Sequence, residues 1–450
     1  MPILPPRRFD ARERRALAAI FLAAALASLD IAIANTALPA IAVAVRASPA
    51  DSIWVVNAYQ LTVVMVLLPF AALGDRIGPR RVYLAGMALF TLASLACALA
   101  DTLPSLAAAR AVQGVGGGAL MSVNIALVRV IYPAERLGRG VGLNALAVGV
   151  AFSFGPTAAS LVLAVASWPW LFAINVPIGA LALALAWQAL PRTEPRGQRF
   201  DPLTALLAAT TFGALVFALS AAAQREPWPL VGVPLAAALL AGALLLRRQA
   251  GDAAPMLPVD LLRRPLFALS ALTAACSFTT QGLAFVALPF YFESVLHRDP
   301  VETGFLISPW PIVVSLAAPF AGRLSDRYPP GALGGAGLAI LGIGMASLAW
   351  LPAAPSVTDI VVRMAVCGIG FGLFQSPNLR ALMSSAPAER SGGASGVIAI
   401  SRLIGQTTGA ALVALCFGLA GEAGPIWALG LGAAFAAVAC VASTARLWAR

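Results

Sequence analysis

Apolar residues in this 450-residue chain do not alternate with polar ones every second position. They run for about 18–25 residues at a time before a short polar break. Such runs can cross a hydrocarbon layer as helices, and lipid admits only helices and closed barrels because exposed backbone groups find no water there. The pattern predicts spans at 16–38, 53–73, 82–100, 104–128, 138–163, 170–190 and 203–223, then at 229–246, 266–292, 303–322, 333–351, 358–381, 394–419 and 425–445. The expected fold class is therefore an all-α polytopic membrane protein. The first apolar run is longer than the core of a cleaved signal peptide and carries Asp30, so it reads as a retained span.

Composition agrees. The chain is 60% hydrophobic and 11% charged, with a mean hydropathy of +0.87, far too apolar for a surface facing only water. All 30 basic residues are arginine. Without lysine there is no phosphate-binding P-loop and no Schiff base, which argues against ATP hydrolysis by this chain. The single His297 and the five cysteines, which lie in apolar runs without C-x-x-C spacing, offer no metal site. No nucleophile–base or metal cluster stands within the spans, so an enzyme is not expected.

The net charge of +11 would suit nucleic acid if it formed a patch, but it is spread along alternate loops. With a cytoplasmic amino terminus, the inside segments hold 24 arginines and the outside loops only Arg46, Arg225 and Arg298. That asymmetry predicts cytoplasmic termini, an even number of spans and a cell inner (plasma) membrane location, with no nucleic acid partner.

The chain also repeats. Gly74-Asp75-Arg76 follows the second span and Ser325-Asp326-Arg327 ends the tenth, an offset of 326 − 75 = 251. Arg110 and Arg363 each open a glycine-rich span, an offset of 363 − 110 = 253. Two six-span halves, 1–192 and 251–450, with an inserted two-span pair in 193–250, account for both offsets. Repeated halves with a site at their interface are a transporter signature. The glycine-rich stretches follow no β-strand and read as close helix packing.

Asp30 is the one acidic residue well inside a span, roughly 13 Å from Pro39 at 1.5 Å per residue. A carboxylate there must be paired, hydrated or protonated. Two readings are open: a buried structural pair with Arg110 at similar depth, or a carboxyl facing a central cavity that takes up a proton or a substrate cation. Arg363 and Arg402 also lie within spans, where they could reach the interface or read an organic anion.

Leu29–Pro39, Trp54–Thr62, Leu73–Arg81, Arg110–Gly116, Gly155-Pro156 and Trp168–Gly179 together resemble, in order, the motifs of the major facilitator superfamily, in particular its fourteen-span drug–proton antiporter branch. Ala71, Pro79 and Pro169 depart from the usual residues, as does the end of Gly155-Pro-Thr-Ala-Ala-Ser160. The resemblance implies two six-helix halves plus two inserted helices and proton-coupled export of amphipathic organic compounds by a monomer, with the proton gradient and no cofactor as energy source. It also implies proton coupling through Asp30 and Arg110 and a conformational gate at Asp75, Arg76, Gly78, Gly155 and Pro156. Asn35, Tyr59, Gln60, Asn144 and Gln375 are candidate polar groups of the substrate cavity, or else bonds between helices. A dedicated exporter or importer of one metabolite on the same fold is the alternative.

Overall fold

The computed structural model describes residues 9–132, 137–192, 201–223, 226–249, 259–325, 327–352, 354–385 and 391–448. Asp326, the expected boundaries at 192/193 and 250/251 and several loop arginines fall wholly or partly outside them. The described residues form helices and no strands. The fourteen long ones are α1 (Ala11–Thr36), α2 (Trp54–Ile77), α3 (Pro79–Ala98), α4 (Leu103–Ile131), α5 (Leu137–Val165), α6 (Asn175–Ala189) and α7 (Pro202–Ala223). They continue as α8 (Trp228–Arg248), α9 (Pro265–Phe290), α10 (Pro309–Leu324), α11 (Pro330–Ala349), α12 (Val357–Ser385), α13 (Ser391–Ala420) and α14 (Gly424–Ala445).

Helix ends follow local chemistry. Asp10 caps α1 by accepting the Glu13 N–H at 2.6 Å, while Glu13 accepts the Asp10 N–H at 3.0 Å. Prolines open α3, α7, α9, α10 and α11, where a missing N–H costs nothing. Gly78, with φ +94°, makes the corner between α2 and α3. Pro39 does not end the first span: a short helix, Leu38–Ala44, continues after a break at Ala37 with Pro39 in its first turn. Asp30 therefore lies deeper than a boundary at Pro39 implies. Pro289 sits near the end of α9, which passes into the π-helical turn Tyr291–Val295.

Among the described residues, thirteen segments are long and apolar enough to cross a membrane. The last, Gly396–Ala445, is 50 residues long and holds both α13 and α14, joined by the 3₁₀ turn Gly421–Ala423. As one straight helix it would extend roughly 75 Å, over twice a hydrocarbon core. Instead α13 and α14 pack on each other. The fourteen predicted runs thus appear as thirteen segments, one of them double.

Packing repeats the internal symmetry of the sequence. In the first six helices, α1 packs on α5, α6 and α4, while α2 and α3 pack on α4 and α3 on α6. Among the last six, α9 packs likewise on α13, α14 and α12, α10 and α11 on α12, and α11 on α14. The repeat reaches single atoms. A Cβ on Gly116 would come under 3.0 Å from the Phe90 N and the Gly86 O, and one on Gly370 would do the same at the Leu341 N and the Gly337 O. The contact partners are offset by 337 − 86 = 251 and the glycines by 370 − 116 = 254. Gly118 and Gly372 lie against Val63 and Val314 with the same offsets. Helices can approach this closely only where no side chain intervenes, which accounts for the glycine-rich runs.

The two groups meet along two seams and where α1 touches α9. On one, α5 packs against α10 and the short helix Pro300–Ile307 that precedes it; on the other, α13 packs against α2. The inserted pair lies beside the second seam, where α7 contacts both α2 and α13. Its two helices are clasped by Asp201 and Arg248 at 2.8 Å, and that guanidinium and the Thr204 hydroxyl hold the Asp201 carboxyl well below the usual carboxylate range.

Replacing Gly370 by Val should cost at least about 1–3 kcal/mol through overpacking. Thermal melting in detergent checks this, and Gly142→Val, at a position with open space, should melt near wild type.

Candidate functional site

The first six helices are built around a charged centre. Asp30 on α1 and Arg110 on α4 are each 1% exposed, and Arg110 Nη1 donates to Asp30 Oδ2 at 2.5 Å. The other carboxylate oxygen accepts from Gln113 Nε2 at 2.9 Å and Asn175 Nδ2 at 2.7 Å. Arg110 Nε donates to the Val55 carbonyl of α2 at 3.0 Å, and Nη1 also donates to Gln113 Oε1 at 2.6 Å. Gln113 Nε2 donates to Ser94 Oγ of α3 at 2.9 Å. The guanidinium lies 4.4 Å from the Tyr59 ring centroid and 5.4 Å from that of Phe172. Five of the first six helices thus meet at one ion pair, which is how two charges stay deep in a membrane protein.

The structure brings Asp30 and Arg110 together and corrects the reading in which Asp30 faces the central cavity. The carboxylate points into its own half, with both oxygens occupied. Tyr59, expected in the cavity, lies instead against Arg110 and Gly117, and its buried hydroxyl has no partner. Gln113 and Asn175 were legible only as polar residues within apolar motifs. Their spacing, one turn after Arg110 and two residues before Pro177, gave no sign of a shared partner.

Between the halves lies a second polar cluster. Asn35 of α1, Gln60 of α2, Gln281 of α9 and Gln406 of α13 line a cavity closed by Phe152 and Phe285. Gln406 Nε2 donates to Gln281 Oε1 at 3.0 Å, and the Thr407 hydroxyl donates to Gln60 Oε1 at 3.0 Å, tying α13 to α2. The two phenyl rings meet edge to face at 5.3 Å. The cavity is constricted to about 10 Å³, room for about one water. Of the five expected cavity residues, Asn35 and Gln60 line it. Asn144 and Gln375 do not: Asn144 is half-buried along α5, and Gln375 is exposed on α12. Gln281, Gln406 and the two phenylalanines carried no distinguishing signal among the apolar runs.

The expected gate residues divide. Gly155 lets α5 approach α1 so closely that a Cβ would overlap Ala32, two positions past Asp30. Pro156, beside it, offers its carbonyl to Ser160 Oγ at 3.1 Å. From here a ladder of hydroxyls crosses the first seam: Ser153 to the Pro311 carbonyl at 2.9 Å and Ser315 at 3.0 Å, Thr157 to Ser308 at 2.7 Å, and Ser160 to the Pro300 carbonyl at 3.4 Å. Asp75 and Arg76 occupy the last turn of α2 at the opposite end of the bundle, Asp75 half-buried and Arg76 exposed, with Gly78 at the corner beyond them. Arg363 is held by Asp359 at 2.8 Å and by the Ser347 carbonyl.

Asp30→Asn alone should destabilise the fold by about 3–5 kcal/mol, because it leaves a buried guanidinium without its charge partner. The double variant Asp30→Asn/Arg110→Gln should recover much of that loss. Denaturation in detergent checks both, and simple additivity of the two single changes would mean that the residues are not coupled.

Residues 20–410 match the Major Facilitator Superfamily. The chain is 50% identical over 98% of its length, and 96% of the relative's, to the uncharacterized transporter YebQ of Escherichia coli K12. It is 28% identical to the riboflavin transporter RibZ of Clostridioides difficile, covering 87% of this chain and 85% of that one. It is 32% identical to the multidrug resistance protein Stp of Mycobacterium tuberculosis, covering 86% and 72%. In fold it resembles a bacterial homolog of the lysosomal transporter Spinster in an inward-facing conformation, with a TM-score of 0.70, 16% identity and coverage of 98% and 99%. The repeated six-helix groups, the polar cavity between them and these matches agree: the chain belongs to the Major Facilitator Superfamily and is a multi-pass membrane transporter, not an enzyme.

Proposed function

We propose that this transporter is a proton-coupled exporter of amphipathic organic compounds, working by alternating access as 1–190 rocks against 260–450, in the fourteen-span drug–proton antiporter branch. The observation that carries the proposal is the Asp30–Arg110 pair. Protonating Asp30 removes the charge that balances Arg110, so a single proton changes the stability of the centre of one half by several kcal/mol. That is enough to reset an equilibrium between two states.

A contiguous path supports coupling to the cavity. Arg110 holds the Val55 carbonyl of α2, and five residues on, Gln60 of the same helix accepts from Thr407 across the second seam. Loss of the ion pair would release α2 and with it the α2–α13 contact. The hydroxyl ladder between α5 and α10 closes the first seam on the side away from the termini; in the proposed cycle it parts when that side opens, with Gly155 and Pro156 as its pivot. Asp75, Arg76 and Gly78 would serve the opposite gate. The arginine distribution supports cytoplasmic termini in an inner membrane, so substrate would leave as protons enter. The cavity's aromatic walls and uncharged amides suit amphipathic ligands, and a monomer with no cofactor suffices.

Proteoliposomes with an imposed pH gradient test the reading. Wild type should accumulate an amphipathic probe only under the gradient, and Asp30→Asn/Arg110→Gln should lose the gradient dependence while keeping counterflow exchange. Unchanged gradient-driven transport in the double variant would sink the assignment of Asp30.

A second experiment addresses the gate. In a background lacking the five native cysteines, Thr157→Cys/Ser308→Cys should form a disulfide across the first seam, abolish transport and regain it on reduction. Full transport with the cross-link intact would rule out parting of this seam.

A further inference from the structure

The arginines set into the bundle are satisfied with one exception. Arg110 has Asp30; Arg363 has Asp359; Arg298 has Glu302 and the Pro355 carbonyl; Arg446 is held by Ser443, Ser270 and Asn378. Arg402, half-buried in the middle of α13, has no hydrogen bond or ion pair among the described residues. Keeping a guanidinium within a span without a partner is costly, and such residues mark ligand paths.

Its neighbours on α13 fix the direction it faces. Gly405 and Gly409 pack on α9 against Ala275 and Thr279, while Thr407 meets α2 through Gln60. Arg402 lies between these two contact lines, one turn before Gln406 and on the same stripe. It therefore borders the chamber between the halves, just beyond the cavity lined by Gln406, Gln281 and Asn35. Asn35 is 5% exposed, and its carbonyl oxygen in that cavity has no partner. No carboxylate lines the cavity, and Asp30 is spent on Arg110.

From this arrangement we infer that Arg402 anchors the anionic group of the substrate, and that the transported class is aromatic carboxylates rather than organic cations. A planar carboxylate matches the guanidinium fork in two parallel N–H···O bonds, which an amide or ammonium cannot do. The ring of such a molecule would enter between Phe152 and Phe285 as the halves part, with the amides of Asn35 and Gln281 at its rim. The inference rests on the reading that the chamber between the halves is the substrate path.

Equilibrium binding to the full chain in nanodiscs, with no pH gradient, tests it with three probes of one shape: 1-naphthoate, neutral 1-naphthamide and cationic 1-naphthylmethylammonium. Wild type should bind naphthoate at least about tenfold tighter than either of the others, the worth of one charge-assisted contact. Arg402→Gln should lose that preference while its affinity for naphthamide stays within about twofold, and Arg402→Lys should regain part of it. Equal or tighter binding of the ammonium probe by wild type overturns the inference, as does binding of none of the three. An Arg402→Gln loss shared equally by all three probes also overturns it. The wild-type comparison stands even if a variant fails to fold. Because no gradient is applied, failure here leaves proton-coupled export standing; retained naphthoate binding without gradient-driven transport removes only the coupling.

Discussion

A carboxylate and a guanidinium, each almost wholly removed from solvent, meet at 2.5 Å in the middle of the first six helices, and much of the surrounding order follows from the need to keep them there. Neither charge can be left alone in low dielectric. The pair therefore draws in Gln113, Asn175, Ser94 and the Val55 carbonyl, and with them three further helices. The repeat makes the cost visible. The second group reproduces the glycine contacts of the first almost atom for atom, yet the position 251 residues after Asp30 is Gln281, which turns to the cavity and accepts from Gln406. At this position one half carries the charge and the other an amide, so the two halves share an architecture but not a role.

The seams give that asymmetry a mechanical outlet. Hydroxyls, carbonyls and amides join the halves, not a second set of buried charges. Such bonds contribute about 0.5–1.5 kcal/mol each in net terms and exchange readily with water or substrate. A strong, centralised interaction inside one half and several weak ones between halves is the distribution that rocking rigid bodies requires. The inserted α7 lies beside α2 and α13 with α8 packed on it, and neither contributes to the charged centre.

The elements were legible because lipid leaves the sequence little freedom: each long apolar run became a helix, with ends within a few residues of those expected. The exceptions have local causes. Pro39 looks like a stop but suits a first helical turn, and the tenth run divides at Ser308 into the short helix Pro300–Ile307 and α10, which Pro309 opens. The pairing of Asp30 with Arg110 was one of two readings that matched depth left open. The side to which Asp30 points did not, since depth along a helix says nothing about rotation around it. That choice is set by Arg110, Gln113 and Asn175 from two other helices, a constraint that exists only after packing. The same holds for Gln281, Gln406 and Phe152, ordinary residues until the halves place them opposite one another. Arg402 stood out in the sequence as a charge within a span, but only the folded chain distinguishes it from Arg363, which has a partner one turn away.

The central claim is that Asp30 takes up and releases the coupling proton. Infrared difference spectra between acid and alkaline samples, for wild type and for Asp30→Asn/Arg110→Gln, read that event directly. The account predicts a protonated-carboxyl band that rises on acidification in the wild type and is missing from the double variant. Identical difference spectra from the two proteins, over the pH range in which the gradient drives transport, would contradict it.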